Sequence, residues 1–223
     1  MLYNKTNVLL FTTLVLALGM GAFARFPLQK KKKIQRVAQC QEVDPLFIER
    51  WSPRAMSGEM VEESDIKALF EAARWAPSSY NEQPWRFIYA VKNTPEWQTF
   101  FDLLVPFNQA WCKDGAVLVV LCSKISSDHG GDNSTHSFDT GAAWQNLALQ
   151  GHLKGLVVHG MGGFDHAKAR VQLNIPHDYA VEAMCVIGKP GDPKNLPDYL
   201  QENEKPSGRK DINQIVCQGS FNF

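Results

Sequence analysis

Two uninterrupted apolar stretches restrict the possible folds of this chain most strongly. Residues 116–122 read AVLVVLC, and residues 181–188 read VEAMCVIG. Short runs rich in apolar and β-branched residues are typical of strands that are covered on both faces. Helical patterns stand between the strand-like stretches, and the sequence signals for tight hairpins are missing. The sequence therefore predicts a mixed α/β or α+β layer fold around a central sheet.

Shorter patterns predict the elements around that sheet. Apolar side chains at positions 66, 69, 70 and 73 define one helical face, with Ser64 as the expected N-cap and Pro77 as the stop. A long helix is predicted at 138–154, with Gly155 at its C-terminal cap. The remaining predicted elements are helices at 45–50, 94–104 and 164–173, strands at 85–91 and 156–159, a mobile polar loop at 126–137 and an apolar arm at 212–216.

The N-terminus carries a possible membrane segment. Residues 8–24 are 17 residues without a charged side chain, near the shortest length for a membrane-spanning helix. Because most neighbouring cations follow this stretch, the positive-inside rule favours an anchor with the body in the cytoplasm. A secretory signal cleaved near residues 22–24 and a poorly ordered extension are the alternatives. We expect a hydrophobic segment and basic linker at residues 1–43 and one folded domain at 44–223.

Charge and cysteine usage argue against several classes of function. Lys+Arg and Asp+Glu number 23 each, so the net charge does not favour nucleic-acid binding. The five cysteines include no CxxC pair, which indicates neither a zinc site nor a disulfide framework. His129, Asp132 and His136 lie in a glycine-rich loop without helical register, so we expect no metal site. No GxGxxG after a strand, GxxxxGK[ST] or GxSxG motif is present.

Residues 73–85, with the sequence ARWAPSSYNEQPW, form a polar but mostly uncharged connection between a predicted helix and a predicted strand. Pro77 fixes the backbone, and Ser78, Ser79 and Asn81 donate and accept hydrogen bonds without adding charge. Such a loop suits a flat polar ring system. An ordinary helix-to-strand connection is the alternative interpretation.

A phosphate-binding group is predicted at Arg50-Trp51-Ser52-Pro53-Arg54. Guanidinium groups bind phosphate through two parallel hydrogen bonds, and a serine hydroxyl adds a donor. Arg209, which follows Pro206-Ser207-Gly208, could add another cation to the same phosphate. A solvated surface turn is the alternative for each stretch.

The stretch Gly160-Met161-Gly162-Gly163 carries only one side chain beyond hydrogen in four positions. Backbone N–H groups in such a stretch can approach a ligand closely, although a tight turn without a ligand has the same composition. No acid, base or nucleophile of a known catalytic arrangement is evident. A ring-binding loop and a phosphate group without such residues indicate chemistry that a cofactor performs.

Five groups of residues, in this order, resemble the FMN-dependent nitroreductase family. They are Arg50-x-Ser52-x-Arg54, residues 72–87 (AARWAPSSYNEQPWRF), Asn108-x-x-Trp111, Asp139-x-Gly141-x-Ala143-x-x-Asn146-Leu147 and Gly162-Gly163-Phe164-Asp165. Each group alone is a weak signal, whereas their common order and spacing from about residue 45 to about residue 216 is specific. The resemblance implies an α+β fold with a central, mainly antiparallel sheet wrapped by helices. It also implies a domain-intertwined homodimer with two FMN sites at the interface.

The resemblance assigns roles to the residues that bind the FMN tail and pyrimidine. Arg50 and Ser52 are expected to bind the phosphate and ribityl chain, and Arg209 to close on the phosphate. Arg54 is expected near the pyrimidine edge, where its charge would stabilise the anion that develops at N1 and O2 on reduction. Asn108 is expected to hydrogen-bond the same edge.

The other expected residues surround the flavin ring. Gly162 would offer its N–H group to N5, with Gly163 beside it, and Asp139 would lie on the ring-contacting face of the central helix. The partner subunit would contribute the loop that contains Pro77. The complete set of expected cofactor-binding residues is Arg50, Trp51, Ser52, Arg54, Pro77, Ser78, Ser79, Asn81, Asn108, Asp139, Gly160, Met161, Gly162, Gly163 and Arg209.

The implied activity is a ping-pong oxidoreduction without a required catalytic side chain. NADH or NADPH would pass hydride to flavin N5 and leave, and a nitroaromatic, a quinone or another electron-poor small molecule would then be reduced. Some family members carry an acidic side chain where this chain has Gly162, and the loop at 124–137 commonly shapes substrate choice. Two alternatives therefore stay open: another chemistry of this fold, such as dehalogenation, flavin fragmentation or azoline oxidation, or a membrane-tethered flavin-binding module without significant turnover.

Overall fold

A four-stranded sheet forms the centre of the computed structural model, which describes Arg36, residues 38–40 and residues 42–223. Its strands are β1 (Trp85–Val91), β2 (Val117–Lys124), β3 (Val157–Met161) and β4 (Tyr179–Gly188). The strand order is β1-β2-β4-β3, and all three pairings are antiparallel. The two stretches predicted to be buried strands are the two inner strands, as their composition requires.

Seven helices surround the sheet in the described part of the chain. They are α1 (Pro45–Glu49), α2 (Glu63–Arg74), α3 (Trp97–Phe101), α4 (Pro106–Cys112), α5 (His136–Leu153), α6 (His166–Gln172) and α7 (Asp198–Gln201). Single 3₁₀ turns occur at Ser79–Asn81, Pro193–Asn195 and Ile212–Gln214.

The sheet is covered on both faces because its inner strands alternate side chains between two apolar clusters. Leu118 and Val120 of β2 join one cluster, which includes core residues of α3, α4 and α6. Val117 and Val119 join the other, which includes the buried residues of α2 and α5. This arrangement of helices on both faces of an antiparallel sheet confirms the expected α+β fold.

Helix α5 packs closely on the sheet and ends as predicted. A Cβ atom at Gly151 would lie 2.3 Å from Val158 Cγ2, so a glycine allows the helix to approach β3. Gly155 has a φ of +71°. Leu156 N–H donates to Gly151 O and Gly155 N–H to His152 O, which is a Schellman ending.

Local interactions shift several predicted boundaries. The prediction of Ser64 as N-cap was wrong: the N-cap of α2 is Glu62, whose carbonyl accepts from the N–H groups of Asp65 and Ile66. The helix predicted at 94–104 is shortened to α3, because Asn93, with a φ of 68°, and Pro95 form a turn after β1. The loop predicted at 126–137 contains a bridge between Ser126 and Asp132, and its last two residues already belong to α5.

The predicted membrane segment at residues 8–24 lies outside the described residues, so it stays a prediction. Within the residues that the structure does describe, none of the helices combines the length and apolar character needed to cross a membrane. Helix α1, the first in the described part of the chain, begins at Pro45 with Asp44 as its N-cap.

Candidate functional site

Guanidinium groups from distant segments, those of Arg36, Arg50 and Arg209, converge beside Arg54 at a cleft of about 320 Å³. Arg50 follows α1, Arg209 lies in the C-terminal segment, and Arg36 precedes α1. Arg36 holds these segments together: its Nη1 donates to the carbonyls of Ile48 (3.0 Å) and Arg50 (2.5 Å), and its Nε donates to Ser207 O (2.9 Å). The cleft therefore depends on contacts between residues that are far apart in the chain.

The charges of this cleft favour an anionic ligand. Burial lowers the pKa of Arg50, and repulsion by Arg209 lowers it further. Burial, Arg209 and Arg50 together lower the pKa of Arg36. Among the described residues that line the cleft, none is acidic. A phosphate bound between the guanidinium groups would therefore relieve their repulsion and form charge-assisted hydrogen bonds.

A larger cavity of about 510 Å³ adjoins the cleft, since Arg50 and Ser52 line both. Arg50 Nη1 donates to Ser52 Oγ at 3.2 Å. Thr140 and Trp144 of α5 line one side of the cavity, and β3 and β4 contribute the segments around Gly160 and Glu182. The two spaces together form an elongated site with a cationic end and a wider, mixed polar and apolar end.

The glycine stretch begins in a strand and ends in irregular backbone. Gly160 and Met161 belong to β3, so the strand predicted at 156–159 extends two residues further than expected. A Cβ atom at Gly160 would lie 2.9 Å from the Trp144 ring, and one at Gly163 would lie 2.8 Å from Asn108 Nδ2. A Cβ at Gly162, which lines the cavity, would meet no atom of the described residues within 4 Å. Packing thus explains two of the glycines, whereas Gly162 leaves open space beside its backbone.

A histidine and a tryptophan contact the Arg50–Arg54 stretch. His159 Nδ1–H donates to Pro53 O at 2.9 Å, and its ring centroid lies 4.6 Å from that of Trp111. Burial lowers the pKa of His159, so its neutral form predominates near neutral pH. The Arg54 guanidinium lies 5.8 Å from the Trp111 ring centroid. The backbone that carries the cations is therefore held by packed rings.

The loop between Pro77 and Pro84 has an unusual backbone. Tyr80, Asn81 and Gln83 have φ values of 49°, 58° and 46°. Non-glycine residues adopt such values only when their surroundings impose them. Here Ser78 Oγ accepts from Gln83 N–H at 3.0 Å, and the Glu82 carboxylate accepts from Ser127 Oγ and Asp128 N–H. These hydrogen bonds stabilise the loop in this conformation, in which Tyr80 is 86 % exposed.

Asp139 is one of the groups that hold this loop. Its side chain is buried, and Oδ2 accepts from Ser79 N–H at 3.1 Å and from Thr135 Oγ1 at 2.9 Å. Within the described chain Asp139 therefore links the start of α5 to the loop. It does not line either cavity.

The structure brings together about half of the residues predicted from sequence. The cleft contains Arg50, Trp51, Ser52, Arg54 and Arg209, and the larger cavity contains Arg50, Ser52, Gly160, Met161 and Gly162. Pro77, Ser78, Ser79, Asn81, Asn108, Asp139 and Gly163 do not line these two spaces. Asn108 is buried and donates from Nδ2 to Gly163 O at 2.9 Å, which fixes the turn after β3.

Sequence reasoning missed several residues that line the site, among them Arg36, Thr140, Trp144 and Glu182. Arg36 follows a lysine run, so it looks like part of the basic linker. Thr140 and Trp144 are one helical turn apart on α5, and this spacing is a signal that could have placed them on one face. Nothing local distinguishes Glu182 from other polar residues of a strand.

Comparisons with known proteins agree on one family. Residues 48–189, more than half of the chain, match the model of the Nitroreductase family. A crystal structure described as an oxidoreductase containing FMN has a TM-score of 0.82 and 41% identity, covering 86% of this chain and 99% of its own.

Two further relatives show similarity at lower identity. Protein DrgA of Synechocystis sp. is 29% identical over 181 residues, which is 68% of this chain and 83% of DrgA. A protein of Archaeoglobus fulgidus, named "Putative NADH dehydrogenase/NAD(P)H nitroreductase", is 29% identical over 160 residues, or 70% of this chain and 90% of the relative. By its motifs, its antiparallel α+β fold and this match over most of the folded part, the chain belongs to the nitroreductase family.

Proposed function

We propose that this chain is an FMN-dependent NAD(P)H oxidoreductase that reduces nitroaromatics, quinones or similar electron-poor small molecules. The observation that carries the proposal is the continuity of a cationic cleft with a wider cavity through Arg50 and Ser52. An anionic tail joined to a broad ring system matches that shape. The similar oxidoreductase that contains FMN supports the choice of this ligand.

The residues of the cleft fit the phosphate end of FMN. Arg36, Arg50 and Arg209 line the cleft together with Arg54 and Lys205, and Ser52 adds a hydroxyl donor. Each phosphate oxygen can accept several hydrogen bonds, so a dianion would satisfy more than one guanidinium group at once. Arg36 extends the set beyond the residues that the family motif contains.

The residues of the larger cavity fit a ring with polar edges. Thr140 Oγ1 of the larger cavity is buried and has no hydrogen-bond partner among the described residues, and the same holds for Arg54 Nε of the adjoining cleft, which leaves two polar groups for a ligand. Gly162 would offer its backbone N–H to N5 without a side chain beside the ring. When bound, FMN supplies hydride transfer between a nicotinamide and an acceptor, and the chain supplies position and charge.

We also propose that the site is completed by a homodimer. Pro77, Ser78, Ser79 and Asn81 do not line the cavities of their own chain, although their loop is rigidly held. The same region exposes Trp75, Tyr80 and Phe138, and the C-terminal segment exposes Ile215 and Phe221. Clustered exposed apolar side chains indicate a protein interface. The loop would then contact the flavin of the partner subunit.

The cofactor proposal is tested by loading the purified protein with FMN. We expect a yellow protein, and a decrease in affinity of about tenfold or more for Arg50→Ala and again for Arg209→Ala, because a hydrogen bond to a charged group contributes about 1.5–3 kcal/mol. Lys210→Ala is the matched control, since Lys210 is an exposed cation next to Arg209 that does not line the cleft. A colourless protein that takes up no FMN would refute the proposal.

The dimer proposal is tested by one charged substitution in an exposed apolar residue. Phe138→Asp, at a side chain 81 % exposed on α5, should produce a monomer that loses FMN. Val171→Asp is the control, because Val171 is 75 % exposed on α6 and should leave the mass unchanged. Analytical ultracentrifugation with and without FMN measures both. A wild-type monomer that binds FMN normally would contradict the proposal.

Turnover separates an enzyme from a flavin-binding module. In the ping-pong scheme, NADH or NADPH bleaches the bound flavin before any acceptor is added, and the acceptor then restores the colour. Anaerobic stopped-flow mixing with each nicotinamide, followed by a panel of nitroaromatics, quinones and halogenated aromatics, measures both halves. Flavin that stays oxidised with both nicotinamides would exclude the proposed activity.

A chain truncated to begin at Arg36 is the suitable form for testing the predicted tether, because truncation at residue 44 would remove a cation of the cleft.

A further inference from the structure

A buried carboxylate lies beside the cationic cleft without belonging to the family motif. Glu204 follows α7, and its side chain is 1% exposed. Its Oε1 accepts from the backbone N–H groups of Arg54 (2.6 Å) and Ala55 (2.8 Å). The carboxylate thus connects the C-terminal segment, which carries Arg209, to the segment that carries Arg50 and Arg54.

The same carboxylate is only loosely paired with the Arg54 side chain. Glu204 Oε2 lies 4.0 Å from Arg54 Nη1, beyond hydrogen-bond distance. Both Oε2 and Arg54 Nε are buried, and neither has a hydrogen-bond partner among the described residues. Polar atoms left open in this way are rare in proteins, and they usually have a functional reason. Here the open donor belongs to a cation that lines the cleft.

A capping role alone does not require a charge at this position. Two backbone N–H groups could be satisfied by a neutral amide oxygen, whereas a buried carboxylate carries a high desolvation cost. The Glu204 carboxylate lies 4.0 Å from the guanidinium of Arg54, which also adjoins the Trp111 ring. In a poorly solvated site, a unit charge at this distance strongly offsets the positive potential that Arg54 presents.

We propose that Glu204 is a positioning residue that sets the effective charge of Arg54 toward the bound ligand, and thereby lowers the reduction potential of the flavin. The inference rests on the proposed function, since it takes FMN as the ligand with its pyrimidine edge near Arg54, as the family motif implies. Uptake of two electrons and one proton leaves the flavin ring one unit more negative than before. A nearby cation favours that change and a nearby carboxylate opposes it. Glu204 therefore limits the stabilisation that Arg54 gives to the reduced flavin.

The test compares Glu204→Gln with Glu202→Gln in the FMN-loaded protein. Glu204→Gln removes the charge but keeps an oxygen for the two backbone N–H groups, and Glu202 is an exposed glutamate on the same segment. At a fixed potential, Glu204→Gln should raise the ratio of reduced to oxidised flavin on the order of tenfold, or about 30 mV for a two-electron couple. Glu202→Gln should leave the ratio unchanged. Anaerobic titration against a reference dye measures the potential independently of turnover.

A second variant keeps the proposal falsifiable if the first does not fold. Arg54→Gln leaves the backbone hydrogen bonds to Glu204 in place and should shift the potential in the opposite direction, because the carboxylate is then uncompensated. An unchanged potential in either variant while FMN remains bound would overturn the inference, and would assign Glu204 a purely structural capping role. Wild-type protein that takes up no FMN would instead refute the proposed function, and the inference with it.

Discussion

Replacement of Asp139 tests whether the loop between Pro77 and Pro84 is imposed by tertiary contacts. The Asp139 side chain is 4% exposed, and its Oδ2 accepts from Ser79 N–H and Thr135 Oγ1. A hydrogen bond to a charged group contributes about 1.5–3 kcal/mol, and the two bonds share one oxygen and are not additive. Asp139→Ala should therefore lower the free energy of unfolding by about 3 kcal/mol, and Asp139→Asn, which keeps an acceptor, by about 1.5 kcal/mol.

Urea denaturation of the protein measures both values, and thermal melting provides a second estimate. For a domain of this size, 3 kcal/mol corresponds to a decrease in Tm of about 6–12 °C. Asp178→Ala is the control, because Asp178 is exposed and the backbone carbonyl that accepts from Ile125 N–H survives the substitution. If Asp139→Ala unfolds within about 0.5 kcal/mol of the wild type, the range of ordinary surface substitutions, Asp139 does not anchor the loop.

Three further predictions concern packing, pH and thiol reactivity. Gly151→Ala should lower the free energy of unfolding by about 1–3 kcal/mol, because the new Cβ would lie 2.3 Å from Val158 Cγ2. Gly141→Ala in the same helix meets open space, so in the same denaturation assay it should stabilise the apoprotein by about 0.5–1 kcal/mol. The pKa of His159 is lower in the folded than in the unfolded state, so its contribution to the free energy of unfolding is fully present above about pH 7 and is lost as the pH drops below about 6.5. His159→Asn should therefore reduce the difference between the urea denaturation curves measured at about pH 7.5 and about pH 5.5. An undiminished difference would exclude His159 as its source. Burial raises the pKa of three thiols, and it raises that of Cys122 to about 11. A thiol reagent at about pH 8 should therefore label only the exposed cysteines of the described part until the protein unfolds. Rapid labelling of the other cysteines in the native protein would contradict their burial. The exposed cysteines are Cys40 and Cys217, and the buried ones are Cys112, Cys122 and Cys185.

Local patterns in the sequence were sufficient for the sheet and for the main cationic motif. The apolar runs of β2 and β4 predict buried strands because only a strand covered on both faces accommodates them. The end of α5 was predicted because Gly155, the left-handed C′ residue that follows its C-cap, has a local signature. Arg50, Ser52 and Arg54 lie within five residues, so the sequence alone was sufficient to predict a phosphate-binding group. The antiparallel pairing of the strands was expected from the family resemblance alone, and their order came only from the structure, since short apolar runs carry no information about their partners.

The tertiary structure alone decided which polar residues complete the site. Arg36 and Ser207 are 171 positions apart, Arg54 and Glu204 are 150 apart, and Ser79 and Asp139 are 60 apart. Such pairs form because the sheet and its covering helices bring distant segments together, and no local pattern separates a buried, hydrogen-bonded carboxylate from a solvated one. The sequence by itself thus determined the strands, the helices and the cationic motif through local propensities. Packing over long chain separations determined where Glu204, Asp139 and Arg36 act.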